Sequence, residues 1–125
     1  MKGILYTSNF SRLKDAKGLK VSIARYNPKW LDLNKYGVIW CKALAPSPRL
    51  LADYKYNNLL WESYTNIYLD ELCESEAQNR IHRIEKLLDS GQDVTLLCYE
   101  KSTDNCHRHI LGNVFRDKGY KVKEI

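Results

Sequence analysis

Between Cys98 and His109 the chain carries two cysteines, two histidines and an arginine, in the string CYEKSTDNCHRH. These residue types support three chemistries: a reactive thiol or thiol pair, a metal centre, and an anion cradle. A thiol reading makes Cys106 the nucleophile or redox group and Cys98 its resolving partner, with Glu100 or His107 moving protons. A metal reading takes Cys98, Cys106, His107 and His109 as four nominal zinc ligands. Their spacing opposes it, because seven residues lie between the cysteines while zinc knuckles pair ligands two to four apart, and His107 and His109 diverge on a helix. No metal or other cofactor is therefore expected. The cysteine-phosphatase loop is also excluded, since it needs an arginine six positions after its cysteine and position 104 is Asp. Phosphate-loop, dinucleotide-fold and serine-hydrolase strings are absent.

The elements that would position this cluster follow from pattern. Val94 to Cys98 is a nearly continuous apolar run, the pattern of a strand buried on both faces. Asp104 can cap a helix bearing Ile110, Leu111, Val114 and Phe115 and ending at Gly119, after which Tyr120 to Ile125 reads as a strand. Strand, helix, strand is the unit of a parallel sheet covered by helices. Upstream, Lys2 to Tyr6 and Leu19 to Ala24 read as strands, and Tyr36 to Cys41 as an optional third that Gly37 weakens. Ser47 before Pro48 starts a helix to about Tyr56. A second helix spans about Leu60 to Cys73. A third follows a Ser75 to Gln78 capping box and presents Ile81, Ile84, Leu87 and Leu88 before Gly91. His82, beside that face, has no partner at metal spacing and reads as a surface residue.

In such a sheet, ligands collect at the carboxyl ends of the strands. Three loops leave strands in that sense: Thr7 to Arg12, Arg25 to Trp30 and Tyr99 to Asn105. They offer Ser8, Asn9, Arg12, Arg25, Tyr26 and Lys29, which with Arg108 form the expected ligand-binding set. The last helix adds the positive end of its dipole, which draws anions and favours a Cys106 thiolate. At 100° per residue, His107 points toward the sheet, Cys106 and Arg108 flank it, and His109 faces water. His107 reads either as a buried imidazole bonded to a backbone carbonyl or as a general acid/base. Arg108 suits bidentate capture of phosphate, against a plain salt bridge to Glu100 or Asp104.

The 125 residues suffice for one domain, and their net charge of +5 suits acidic partners. No apolar run approaches membrane-spanning length and the amino terminus has no signal-like stretch, so a cytoplasmic protein with no membrane partner is expected, its four cysteines thiols, metal ligands or catalytic groups ahead of structural disulfides, with a transient Cys98–Cys106 bridge open to it. The strings "YTSNFSRL", "SIARYNPKW", "LAPSPRLLADYK", "LLCYE" and "CHRHIL" together resemble the family called domain of unknown function 488, over nearly the whole chain. The resemblance implies a small Rossmann-like or flavodoxin-like α/β domain with a mostly parallel central sheet, and places a family pattern on Cys98, Glu100, Cys106, His107 and Arg108. It implies no established reaction. The expected function is an enzyme acting on a phosphate-bearing, nucleotide-like small molecule at the sheet edge. The alternative is a non-catalytic module that binds a nucleotide or nucleic acid there, with Tyr26, Trp30 and Tyr99 stacking on bases.

Overall fold

Five short strands, all parallel, build one sheet in the order β3-β2-β4-β1-β5, an α/β arrangement of the Rossmann and flavodoxin type. The structure is a computed structural model and describes residues 1–99 and 105–125. The strands are β1 (Leu5–Asn9), β2 (Leu19–Ser22), β3 (Val38–Trp40), β4 (Val94–Cys98) and β5 (Val122–Glu124). The helices are α1 (Leu33–Tyr36), α2 (Pro48–Tyr56), α3 (Trp61–Glu71), α4 (Ser75–Asp89) and α5 (His107–Asp117), and a 3₁₀ segment covers Phe10–Asp15. β4 is central, and all five of its residues are buried, as its unbroken apolar run requires. Among the described residues no helix is long and apolar enough to cross a membrane.

The first strand lies later than its apolar residues suggest. Gly3 is not in it; a Cβ there would stand 2.1 Å from Gln92 O, so only glycine lets the chain pass that backbone. Pairing with β4 instead runs from Leu5 opposite Val94 to Asn9 opposite Cys98. Thr7, Ser8 and Asn9, which read as a loop, are therefore buried strand residues whose polar groups find partners inside the fold. Ser8 Oγ donates to Ile125 O at 2.9 Å, Thr7 Oγ1 donates to Glu124 Oε1, and Asn9 Oδ1 accepts from Ser11 N at 3.1 Å as cap of the 3₁₀ segment.

Helix boundaries follow capping chemistry in some places and packing in others. Ser47 Oγ accepts from Leu50 N at 3.1 Å, so α2 starts where the Ser-Pro pair says it should. Gly37, at φ 66°, closes α1 and hands the chain to β3, so it borders that strand and does not interrupt it. The Ser75 capping box does not form. Glu74 is the cap residue of α4, with no side-chain bond, and Gln78 Nε2 donates to Leu72 O at 2.6 Å, tying α4 to the end of α3. The buried face of α4 is Ala77, Ile81, Ile84 and Leu88.

The helix that carries the Cys-His-Arg triplet differs most from its wheel. Its buried residues are His107, Arg108, Ile110, Leu111, Gly112 and Phe115, while Val114 is half-buried. Gly112 explains the rotation: a Cβ there would already sit 3.3 Å from Val122 Cγ1 and 3.6 Å from Thr7 Cγ2, so the missing side chain lets α5 press onto β1 and β5. Arg108 is thereby carried inward, from the flank of the helix to the interior. The cap residue of α5 is Cys106, in extended conformation at φ −149° and ψ 145°, which corrects the expectation that Asp104 caps and that Cys106 lies in the first turn. Asp104 itself, with Glu100, lies outside the described residues.

Candidate functional site

The carboxyl ends of β1, β2 and β4 and the start of α5 meet around two sulfur atoms. Cys98 ends β4, Cys106 precedes α5, and their Sγ atoms are joined in a disulfide. Both residues are buried, yet both line a cleft of about 70 Å³. Ala24, Arg25 and Tyr26 after β2 form one side of it, and Tyr54, Trp61 and Tyr64 of the α2–α3 hairpin form another. The hairpin aromatics brace one another, with Trp61 and Tyr64 stacked at 4.8 Å and Tyr54 5.0 Å from Tyr64. Tyr26 and Tyr99 stand at the mouth, 60% and 50% exposed. So small a cleft admits a few atoms, well short of the several hundred Å³ of an ordinary small-molecule site. Only the reacting end of a ligand fits, and the rest must lie outside, against the aromatic rim.

Arg108 is the largest fully buried side chain in the protein. A buried guanidinium must be neutralised and hydrogen-bonded, and this one is. Its Nε and Nη2 reach Glu124 Oε1 and Oε2 at 3.2 and 2.9 Å, a bidentate pair, and Nη1 donates to Cys98 Sγ at 3.1 Å. Among the described residues its salt bridge is to Glu124; Glu100 and Asp104, the partners the sequence suggested, lie outside them. The fork assigned to phosphate is filled by a carboxylate. What remains is Nη1, a fixed cationic donor set against one sulfur.

His107 is defined by the opposite chemistry. Its Nε2 lies 2.7 Å from Ile23 O, a carbonyl that can only accept, so Nε2 carries the proton and Nδ1 a lone pair. That lone pair faces Cys106 Sγ at 3.7 Å. Burial lowers the imidazole pKa from the usual 6.5 to about 4, with Arg108 and His109 pushing the same way and the Ile23 bond pulling back. His107 is therefore neutral at physiological pH, and its ring packs edge-on to Tyr68, 5.4 Å away. Of the two readings of this residue, the carbonyl-bonded buried imidazole describes its geometry. It remains an acceptor for the Cys106 thiol.

Cys98 Sγ, Cys106 Sγ and His107 Nδ1 lie within 4.8 Å of one another, so these three donors could hold a soft metal ion. The fold brings together sulfur atoms that linear spacing had set apart. His109 is not part of this set; its Nδ1 lies 3.9 Å from Glu124 Oε1. It is half-buried against that carboxylate and does not face open water. The Arg108 charge on Cys98 opposes a cation in this position and suits a thiolate.

The remaining expected ligand residues divide. Arg25 lines the cleft and donates from Nε to Pro46 O at 3.0 Å, which holds its guanidinium at the rim. Tyr26 is at the mouth. Ser8 and Asn9 are committed to the bonds described above. Arg12 pairs with Asp15 at 3.6 Å on the 3₁₀ segment, and Lys29 is an exposed loop residue; neither lines the cleft. Glu100 lies outside the described residues. The residue that sequence reasoning missed is Glu124, whose signal was its place at the end of a parallel strand, the edge where functional side chains gather.

A second hollow of about 380 Å³ lies next to the first, sharing Arg25 and lined by Lys42, Ser47, Glu71, Glu74 and Glu76. Glu71 is occupied, accepting from Ser47 N at 2.8 Å and from Ser47 Oγ at 2.5 Å.

No curated protein matches the chain significantly. The family model DUF488-N3a, described as the active DUF488-N3 subclade, matches residues 5–119, a span holding Cys98, Cys106, His107 and Arg108. By that match over most of its length, the chain belongs to the DUF488 family.

Proposed function

We propose that this protein is a thiol enzyme in which Cys98 attacks one small electrophilic group of a phosphate-bearing, nucleotide-like substrate at the carboxyl edge of the sheet. The observation that carries this reading is the 3.1 Å hydrogen bond from buried Arg108 to Cys98 Sγ, at the base of an aromatic-rimmed cleft. The bidentate hold of Glu124 fixes the guanidinium, so the charge is in place before the substrate arrives.

The bonded pair is the resting, oxidised form. Two equivalents of a low-molecular-weight thiol supply two electrons and two protons and leave as their own disulfide, giving a Cys98 thiolate, a Cys106 thiol and a proton released to water. The thiolate sulfur then forms a bond to the substrate's electrophilic carbon as the bond from that carbon to the leaving group breaks. The leaving group takes the Cys106 proton, which His107 Nδ1 orients. Water completes the cycle: its oxygen bonds to the carbon as the sulfur–carbon bond breaks, the product keeps one proton as a hydroxyl, the other returns to Cys106, and Cys98 leaves as the thiolate beside Arg108. Glu100, two residues after Cys98, is the candidate to activate that water. Tyr26, Tyr99 and Arg25 hold the base and phosphate outside the cleft. The description of the matching subclade as active supports a catalytic reading over a purely binding one.

The test is an affinity label. A nucleoside monophosphate bearing a chloroacetamide on its base is compared with chloroacetamide alone, with sites mapped by mass spectrometry on reduced protein. Cys98 is expected to react at least about tenfold faster with the nucleotide-linked reagent; Arg25→Ala should abolish that preference, and Arg108→Gln should slow both reactions. Equal rates for the two reagents, or labelling confined to the exposed Cys73, would overturn the proposal.

A further inference from the structure

Positive charge is distributed unevenly along this chain. The first 42 residues hold nine Lys or Arg against two acids, a net +7, whereas the other 83 hold 11 against 13, a net −2. The fold gathers much of the basic part around a groove of about 450 Å³ lined by Phe10, Leu13, Lys14, Lys20, Trp30 and Tyr36. Lys17, Lys29 and Lys35 adjoin these lining residues in the chain. Trp30 is 61% and Tyr36 40% exposed, a cost that a solvated charged face alone does not require. Lys20 Nζ donates to Tyr36 O at 3.2 Å, and Lys35 Nζ sits 5.5 Å from the Tyr36 ring, so cation and ring are already side by side.

One ring contact links the lining of this groove to that of the thiol cleft. Phe10, on its lining, meets the ring of Tyr99 edge-on at 5.3 Å, and Tyr99 stands at the mouth of the cleft that holds Cys98 and Cys106. A polyanion with flat side groups lying along the groove would thus present one of them to the cleft. Lysines facing phosphates and exposed rings facing bases are the two components of sequence-tolerant single-strand binding. A small cleft at the end of a long surface is what a polymer substrate needs, since only one unit enters.

We infer that the Lys14–Lys20–Trp30–Tyr36 groove docks single-stranded nucleic acid and guides one base to the Cys98 cleft. This deepens the functional reading above by naming its substrate class, and the docking half can be measured without any thiol chemistry. A fluorescein-labelled dodecathymidylate is titrated with the oxidised protein and followed by anisotropy at 50 and 200 mM salt. If about four phosphates are neutralised, the salt slope is about −3 and affinity falls about 50-fold over that range. Trp30→Ala, at an exposed position that should leave thermal stability unchanged, is expected to weaken binding about tenfold, and Lys14→Glu with Lys20→Glu to weaken it further. A duplex of the same length should bind more weakly, because its bases are not available for stacking. Absence of binding at 50 mM salt, or binding that Trp30→Ala leaves unchanged, overturns the docking proposal while the labelling result for Cys98 still stands or falls by itself.

Discussion

The two hollows that share Arg25 differ in the way that matters for chemistry. The larger, about 380 Å³, is rich in carboxylates, and the best placed of these, Glu71, spends both oxygens on capping α2 through Ser47. The smaller, about 70 Å³, has two cysteines and His107 on its lining, at the ends of parallel strands, with the Arg108 guanidinium buried behind Cys98. Volume alone would favour the first. Chemistry favours the second, because its polar groups are buried at a cost that structure alone could have avoided. Replacing a buried ion pair by apolar side chains is often neutral or stabilising, so a fully buried Arg108 is weakly justified as a structural device.

That contrast can be broken most forcefully at Arg108. Arg108→Ala empties a fully buried position and leaves part-exposed Glu124 and Cys98 without their donor, and the expected loss is about 3 kcal/mol of stability in urea unfolding. The double change Arg108→Met with Glu124→Gln should recover much of that loss while leaving the thiols unreactive. If the double variant keeps Cys98 reactivity, the guanidinium is structural after all.

The next effect is a pH dependence set by His107. Its folded pKa of about 4 lies below the unfolded 6.5, so as pH falls through this interval the unfolded chain takes up a proton that the folded one refuses. Stability from this group is complete above pH 6.5 and lost progressively down to about pH 4, by about 3 kcal/mol in all. His107→Gln, which keeps a donor for Ile23 O, should flatten the curve over that window; an unchanged slope would assign the acid sensitivity elsewhere.

The smallest effect belongs to the larger hollow. Glu71→Gln weakens the bonds to Ser47 and should cost about 1 kcal/mol, with no change in Cys98 labelling. A change in labelling would show that the two hollows act together through Arg25.

Legibility in the sequence tracked how local each cause was. Ser47-Pro48 and the apolar run of β4 are decided within a few residues, and both stand where the sequence placed them. Thr7, Ser8 and Asn9 read as loop because polarity was their only local property; Thr7 and Ser8 are strand because residues more than a hundred positions away supply their partners, and Asn9 because it pairs with Cys98 of β4. The cluster at Cys98, Cys106 and His107 was visible as residue types. Its internal wiring was not: a glycine at 112 turns Arg108 inward, and Glu124 waits at the end of a strand with no motif to mark it. Arg12 and Lys29 were grouped with the site because they follow strands, yet the chain carries them away from the cleft. Linear spacing also misjudged the sulfur atoms, which the fold brings together despite seven residues between them.

The central claim is that a buried guanidinium prepares Cys98 as a thiolate, and it is tested without any substrate. In protein reduced and carrying Cys41→Ser, Cys73→Ser and Cys106→Ser, the thiolate absorbance near 240 nm reports Cys98 alone as pH is raised. The account predicts that this absorbance is already substantial at about pH 7 and that Arg108→Gln moves its appearance upward. Absorbance that rises only above about pH 8.5, the range of an ordinary cysteine, and that is indifferent to Arg108, would contradict it.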